Sequence, residues 1–138
     1  MTIYVLDTDH LSLYSRNNPA LIDRLQTQSV HLITTVINVE EQLRGRLAQI
    51  AAAKDETILA NAYSLLSETV TLLSEFEALP FTKESQIIYR DLKAQRIRVG
   101  TQDLRIASVT LAHQGVLLTR NFRDFDQVPN LICENWTK

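Results

Sequence analysis

The sequence has few of the features that mark disulfide-linked, membrane or disordered proteins. Its single cysteine, Cys133, excludes an internal disulfide framework and suits a reducing compartment. No stretch approaches the roughly 18 apolar residues of a membrane span. The start MTIYVLDTDH lacks the basic and apolar regions of a signal peptide. Because 45% of the residues are hydrophobic, a real core can form, and we expect a cytoplasmic globular protein without a membrane segment.

The charge balance is close to neutral, with 14 basic and 16 acidic residues and a formal net charge of -2. This balance gives the whole molecule no general attraction for nucleic acid. Any contact with a polynucleotide would need a local basic patch or metal ions set against the acidic groups.

Glycine and proline are also scarce, at three each, and they fall mostly at the boundaries of predicted elements. With no internal repeat or linker, residues 1–138 are predicted to form one domain. Short apolar runs alternate with amphipathic helices, which predicts an α/β fold with a mainly parallel central sheet flanked by helices on both faces. The predicted strands are residues 3–6, 30–33, 116–119 and 131–133, with 77–80 as a strand or a connection.

Helix boundaries are marked by local signals. Asn18 followed by Pro19 predicts an N-cap and a first helical residue. Thr101 is expected to be the N-cap of a later helix that Gly115 ends. A further helix is predicted from residue 82 to about residue 97.

Polar side chains follow two of the predicted strands. Asp7 and Asp9 come directly after the first, and Thr119, Asn121 and Asp124 end or follow the strand at 116–119. In open α/β sheets, ligands bind outside the carboxyl ends of the strands, near the point where the strand order reverses. If these two strands are neighbours, the two polar groups approach each other there.

Three acids on predicted helices could complete the same pocket: Glu40, Glu41 and Asp103. Clustered carboxylates stay ionised only when cations neutralise them, and such hard oxygen ligands select Mg²⁺ or Mn²⁺. No Cys/His grouping has zinc spacing. Each acid alone also has a simpler interpretation as a helix cap, a first-turn acid or a turn former, so the prediction depends on their joint placement.

Four segments in order, YVLDTDHL, INVEEQLRG, GTQDLRIAS and TRNFRDFDQVPNL, resemble the PIN-domain ribonucleases, most closely the VapC-like toxins of type II toxin–antitoxin pairs. The similarity runs from Val5 to Trp136. The resemblance implies a PIN-like fold and Mg²⁺-dependent (or Mn²⁺-dependent) endonucleolytic cleavage of RNA by metal-activated water. It also implies a homodimer and a cognate antitoxin protein.

The resemblance carries the family's four acids onto this chain one by one. The first falls on Asp7 and the third on Asp103. The second lies four residues before a glycine, which is Glu41, counted from Gly45. The fourth falls on Asp124. Together they are the predicted catalytic and metal-binding residues.

Some positions depart from the family pattern or leave a choice open. Asn38 stands where the family usually has Thr and Gln42 where it usually has Leu, so Glu40 stays an alternative to Glu41. Asn121 is an alternative to Asp124 and otherwise a support for it.

Several further side chains are predicted to assist. Asp9 replaces the usual Asn or Ser, and Thr119 could contribute its hydroxyl. Arg120 and Arg123 flank the acidic turn, and with Arg44 they are the predicted RNA-binding residues. Such contacts would hold phosphates without reading the base sequence.

Two other functions compete with the nuclease. An aspartyl-nucleophile phosphatase would use Asp7 as nucleophile and Asp9 as acid, although no downstream lysine at a strand end is evident to offset the phosphate charge. A non-catalytic, protein-binding PIN-like module would not need the four acidic positions, and all four are acidic here.

Overall fold

A computed structural model describes residues 1–138 as five strands and seven helices. The strands are β1 (Tyr4–Leu6), β2 (Ile33–Thr35), β3 (Glu77–Leu79), β4 (Val116–Leu118) and β5 (Ile132–Glu134). The helices are α1 (Thr8–Ser15), α2 (Pro19–Thr27), α3 (Val36–Ala52), α4 (Glu56–Leu73), α5 (Lys83–Ala94), α6 (Thr101–Ala112) and α7 (Phe122–Phe125). No helix has the length and apolar character needed to cross a membrane.

All five strands are parallel, in the order β3-β2-β1-β4-β5, which confirms the predicted sheet. The chain moves outward from β1 through β2 to β3 and then returns to place β4 on the other side of β1. The strand order therefore reverses between β1 and β4, where Leu6 pairs with Leu118. This point is where parallel α/β sheets bind their ligands.

Helices cover both faces of the sheet, because successive strand residues face opposite sides. Val5 and Leu117 belong to one core cluster with α5 and α6. Leu6 and Leu118 belong to a second cluster with α1, α2 and Trp136. A strand buried on both faces explains why the β1 and β4 segments are continuous apolar runs without alternation.

No strand keeps its predicted limits: β1, β3 and β4 are each one residue shorter than predicted, and the other two are shifted along the chain. The second lies at Ile33–Thr35 instead of 30–33, and the last at Ile132–Glu134 instead of 131–133. Thr34 is fully buried in β2 because its hydroxyl donates a hydrogen bond to the Leu6 carbonyl at 2.6 Å. This tertiary contact makes a polar residue acceptable in a central strand, and apolar patterning does not detect it.

The predicted N-cap of α2 is confirmed, whereas the predicted N-cap of α6 and the predicted end of α5 are wrong. Asn18 caps α2, with its side chain accepting from the Leu21 N–H at 3.0 Å. Thr101, however, is the first residue of α6; the N-cap is Gly100, and no side chain caps the helix. Helix α5 ends at Ala94, short of residue 97, because Arg96 adopts a left-handed conformation with φ of 56°.

Candidate active site

A cavity of about 520 Å³ opens at the carboxyl ends of β1 and β4. It brings together residues from four distant parts of the chain. Its polar lining includes Asp7, Asp9, Glu41, Asp103, Arg120 and Asn121. Three of the four predicted catalytic acids thus line one cavity, and Asp124 lies beside it in the adjoining turn.

Asp7 lies directly after β1 and caps α1. Its Oδ1 accepts a hydrogen bond from the His10 backbone N–H at 2.8 Å, and the residue is only 6% exposed. The capping and functional interpretations are therefore compatible, because the cap fixes the carboxylate at the cavity wall. Oδ2 makes no hydrogen bond within the chain and is left for a ligand.

Glu41 and Glu40 occupy different environments on α3. Glu41 lines the cavity and accepts a hydrogen bond from the Thr8 hydroxyl at 2.7 Å. Glu40 pairs with Arg44 one turn along the helix and accepts from the Gln102 amide at 3.0 Å. The geometry favours Glu41 as the acid of the cavity, and it leaves Arg44 neutralised outside it.

Asp103 projects from the first turn of α6. Burial raises the pKa of this carboxyl most, followed by the negative charges of Glu41, Asp124 and Asp7 in that order, and together they bring it to about 6. No cation of the chain pairs with Asp103. The raised pKa of Asp103 therefore depends in part on three other acids, which come from other parts of the chain.

The turn after β4 is held by its own polar side chains. The Thr119 hydroxyl accepts from the Asn121 N–H at 2.9 Å, so Thr119 shapes the backbone of the turn. The Asn121 amide donates to Asp124 Oδ2 at 3.0 Å, and the Asp124 N–H donates back to Asn121 Oδ1 at 3.3 Å. Asn121 faces the cavity while Asp124 supplies negative charge from behind it.

Asp9 is bound by a cation of the chain itself. The Arg120 guanidinium contacts both carboxylate oxygens of Asp9, with Nε at 2.8 Å from Oδ2 and 3.1 Å from Oδ1. Hydrogen bonding and the charge of Asp9 raise the pKa of Arg120. The two predicted assistants therefore neutralise each other at the cavity mouth, while Arg123 lies exposed on α7 with no ion pair.

His10 lies beneath the two aspartates, fully buried. Asp7, Asp9 and His10 offer ligand atoms within 4.8 Å of one another. However, His10 Nε2 accepts from the Trp136 backbone N–H at 3.2 Å, so in the neutral ring the proton is on Nδ1. Nδ1 is 3.6 Å from Asp7 Oδ1 and 3.8 Å from Asp9 Oδ2, too far for a hydrogen bond, so this buried N–H has no partner. In this tautomer Nδ1 also has no lone pair for a metal.

Sequence reasoning missed the hydrogen-bond chain that positions Glu41. The buried Asn38 accepts from the Thr35 hydroxyl at 2.7 Å and donates to Thr8 Oγ1 at 3.0 Å, and Thr8 in turn donates to Glu41. Thr8 stands inside the YVLDTDHL segment, and Asn38 was noted only as a departure from a pattern. The missing signal is long-range, since Thr8 and Asn38 meet only in the folded chain.

Comparisons with known proteins give relatives in sequence and in fold. No protein-family model matches the chain. Ribonuclease VapC2 of Rickettsia felis is 36% identical over 70 residues, which is 48% of this chain and 52% of that protein. Ribonuclease VapC1 of Haemophilus influenzae (strain R2866) is 29% identical over 141 aligned positions, covering 99% of both chains.

Solved structures give the same answer. A chain of VapBC2 from Rickettsia felis, bound to a DNA fragment from their promoter, matches with a TM-score of 0.74 at 25% identity, over 98% of this chain and 99% of that one. A chain of VapBC-1 from nontypeable Haemophilus influenzae matches with a TM-score of 0.77 at 24% identity, over 99% and 100%.

The reversed parallel sheet and the acids at its switch point define an α/β domain of the PIN type. With the relatives above, the chain is similar in sequence and in fold to VapC ribonucleases, and its fold is PIN-like.

Proposed function

We propose that this chain is a metal-dependent endoribonuclease and the toxin of a toxin–antitoxin pair. Asp7, Glu41, Asp103 and Asp124 form its catalytic centre and hold Mg²⁺ or Mn²⁺. The convergence of four acids on one cavity carries the proposal: Asp7, Glu41 and Asp103 line it, and Asp124 is hydrogen-bonded to Asn121, which also lines it. Clustered carboxylates repel one another, so this arrangement calls for a cation from outside the chain. The names of the relatives, ribonucleases called VapC, supply the reaction class.

The donor set suits a hard divalent cation. The cavity presents carboxylate oxygens and the Asn121 amide, and no thiol. The Nε2 atom of His10 already accepts a hydrogen bond from the Trp136 backbone N–H. Asp7 and Glu41 are fixed by hydrogen bonds, which spares the entropy of ordering them when an ion binds. When bound, the ion would supply positive charge at the phosphoryl group and a water of lowered pKa.

The residues of the chain have separate tasks in this account. Asp7, Glu41, Asp103 and Asp124 hold the ion and thereby fix where the scissile phosphate sits. Asp124 adds negative charge behind Asn121, whose amide it orients at 3.0 Å. The Thr8–Asn38 chain holds Glu41 in place, and the backbone N–H of His10 holds Asp7.

We propose two protein partners. VapBC complexes among the structural relatives support a cognate antitoxin. A second copy of the chain would suit α3 and α4, which expose Leu47, Leu59, Tyr63 and Val70. The three on α4 are spaced four and seven residues apart and so share one helical face.

The test is cleavage of total RNA by the purified protein with Mg²⁺, with Mn²⁺ and with chelator. Wild type should cut only with metal, and Asp7→Asn should be inactive with an unchanged circular dichroism spectrum. Asp23→Asn, an exposed carboxylate on α2, is the matched control and should cut normally. Absence of cleavage by wild type with either metal would overturn the proposal.

The phosphatase alternative is disfavoured by the contacts of Asp9. A general acid must be free to exchange a proton with the leaving group, whereas Asp9 is bound by Arg120 through both oxygens. Formation of a phosphoryl-Asp7 adduct would restore that alternative. A pure binding module would show no Mn²⁺ site that depends on Asp7.

A further inference from the structure

The acidic cavity continues into a second depression between α1 and α3. This depression has a volume of about 330 Å³ and shares Thr8, Ser12, Arg16 and Glu41 with the acidic cavity. The remaining wall comes from α3 and includes Gln42, Arg46 and Gln49. No apolar side chain lines it, so it is a polar groove that begins at the catalytic carboxylates.

Two cations of this groove are not neutralised. Arg16, at the end of α1, is exposed and its side chain makes no hydrogen bond or ion pair. Arg46 donates from Nε to the Thr69 hydroxyl at 2.8 Å and from Nη1 to the Gln49 amide oxygen at 3.0 Å. Both partners of Arg46 are uncharged, so its guanidinium is held in place with its full charge and with Nη2 free.

Two of the three arginines predicted from sequence differ in this respect; the third, Arg123, has no ion pair but lines neither cavity. Arg120 is bound to Asp9, and Arg44 is bound to Glu40. A phosphate would have to displace a carboxylate from either of them. Arg16 and Arg46 require no such exchange, and their fixed or free donors suit a phosphate oxygen.

The groove changes character farther from the acids. A third cavity, of about 650 Å³, shares Ser12, Gln42 and Arg46 with it. Beyond Arg46 this cavity carries the unpaired carboxylates Glu68 and Glu75, the latter accepting from the Tyr14 hydroxyl at 3.2 Å. Negative charge there repels a polyanion, so the favourable stretch is short and ends at Arg46.

We propose that Arg16 and Arg46 form a phosphate subsite for the RNA strand, next to the scissile phosphate at the acidic cavity. The strand enters the groove between α1 and α3, and its sugar-phosphate backbone is held without reading of the bases. This inference rests on the proposed ribonuclease function. It gives the path along which the bound RNA strand runs away from the catalytic centre.

The experiment measures binding of a short fluorescein-labelled single-stranded RNA by anisotropy, with Mg²⁺ present. Every protein carries Asp103→Asn to block cleavage. Arg16→Gln and Arg46→Gln should each weaken binding about tenfold, the value of one charge-assisted contact. Each should also lower the slope of log affinity against log salt by about 0.7, the value for one phosphate on a single strand.

Arg90→Gln is the matched control, because Arg90 is an exposed arginine on α5, and no residue of α5 lines the groove or the acidic cavity. It should change neither affinity nor slope. Arg46→Gln also loses the bond to Thr69, so thermal unfolding is measured in parallel; Arg16→Gln removes no contact and tests the subsite alone.

The outcomes separate the two proposals. Wild type that neither binds nor cuts RNA contradicts the ribonuclease function itself. If wild type cuts RNA but Arg16→Gln and Arg46→Gln, in the Asp103→Asn background, bind RNA as tightly as Arg90→Gln, only the subsite is overturned. The groove would then be assigned to a protein partner.

Discussion

Two aspartates at the same cavity differ in their charge partners: the chain provides a cation for one and none for the other. Asp9 is bound by Arg120 through both carboxylate oxygens. Asp103 has no cation, and its pKa rises to about 6 through burial and through Glu41, Asp124 and Asp7. The chain pairs the carboxylate of Asp9 with its own Arg120. It provides no cation for Asp103, which in the proposed function is neutralised by the bound metal ion.

In the proposed function, Asp9 organises the cavity mouth through its ion pair with Arg120, and Asp103 binds the metal ion. A protein tolerates uncompensated repulsion of this kind at functional sites, where stability is exchanged for activity. The comparison therefore predicts opposite effects of removing the two charges, in size and in sign.

The largest effect is expected for Asp103→Asn. Loss of a metal-binding carboxylate should lower RNA cleavage by more than about a hundredfold. At neutral pH in chelator the same variant should unfold at a temperature about 2–6 °C higher, because a repelling charge is gone. Cleavage assays and thermal unfolding check both halves, and a variant that is both less active and less stable would contradict the account.

A smaller loss is expected when the support of Glu41 is removed. Asn38→Ala breaks the contacts to Thr35 and Thr8, so cleavage should fall about tenfold, as for other residues that orient a metal ligand. Unfolding should also become easier by about 1–3 kcal/mol, since buried polar groups lose their partners. Asn61→Ala, on the exposed surface of α4, should change neither quantity.

The pH dependence of stability sharpens the comparison further. In the folded chain Asp103 holds its proton up to a pKa of about 6, against an ordinary pKa of 3.8 for an aspartate. Below the lower value both states are protonated and the charge costs nothing; as pH rises to 6 the folded chain loses stability relative to the unfolded one. Without metal, the difference in Tm between Asp103→Asn and wild type should grow over this range and then stay constant.

The smallest effect is expected for Asp9→Asn. It removes an ion pair in which Arg120 is exposed, and such pairs contribute little to stability. Cleavage should stay within about threefold of wild type and Tm should not rise. If Asp9→Asn were as inactive as Asp103→Asn, the proposed division between the two aspartates would be wrong.

The sequence was sufficient for the architecture because apolar runs and helical periodicity report burial directly. It placed β1 and β4 with their polar ends, and their adjacency brought Asp7 and the Asn121 turn together. It misplaced β2, where Thr34 is buried through a contact 28 residues away. It also misassigned the N-cap of α6 to Thr101, since local preference does not decide whether Gly100 lies outside the helix.

For the site, the acids were predictable and their surroundings were not. Ion pairs such as Arg120 with Asp9 and hydrogen bonds such as Thr8 with Glu41 join residues far apart in the chain. These contacts decide which arginines are free and which glutamate faces the cavity. Residue type and spacing alone predicted Arg120, Arg123 and Arg44 as phosphate ligands. In the folded chain Arg120 and Arg44 are paired with carboxylates, whereas Arg16 and Arg46 line the groove without a carboxylate partner.

Calorimetric titration with Mn²⁺ tests most directly whether these carboxylates share one divalent ion. Wild type should bind the ion at the cavity, Asp7→Asn and Asp103→Asn should each lose that binding, and Asp23→Asn should keep it. Equal Mn²⁺ affinity in wild type and in both cavity variants would contradict the central claim.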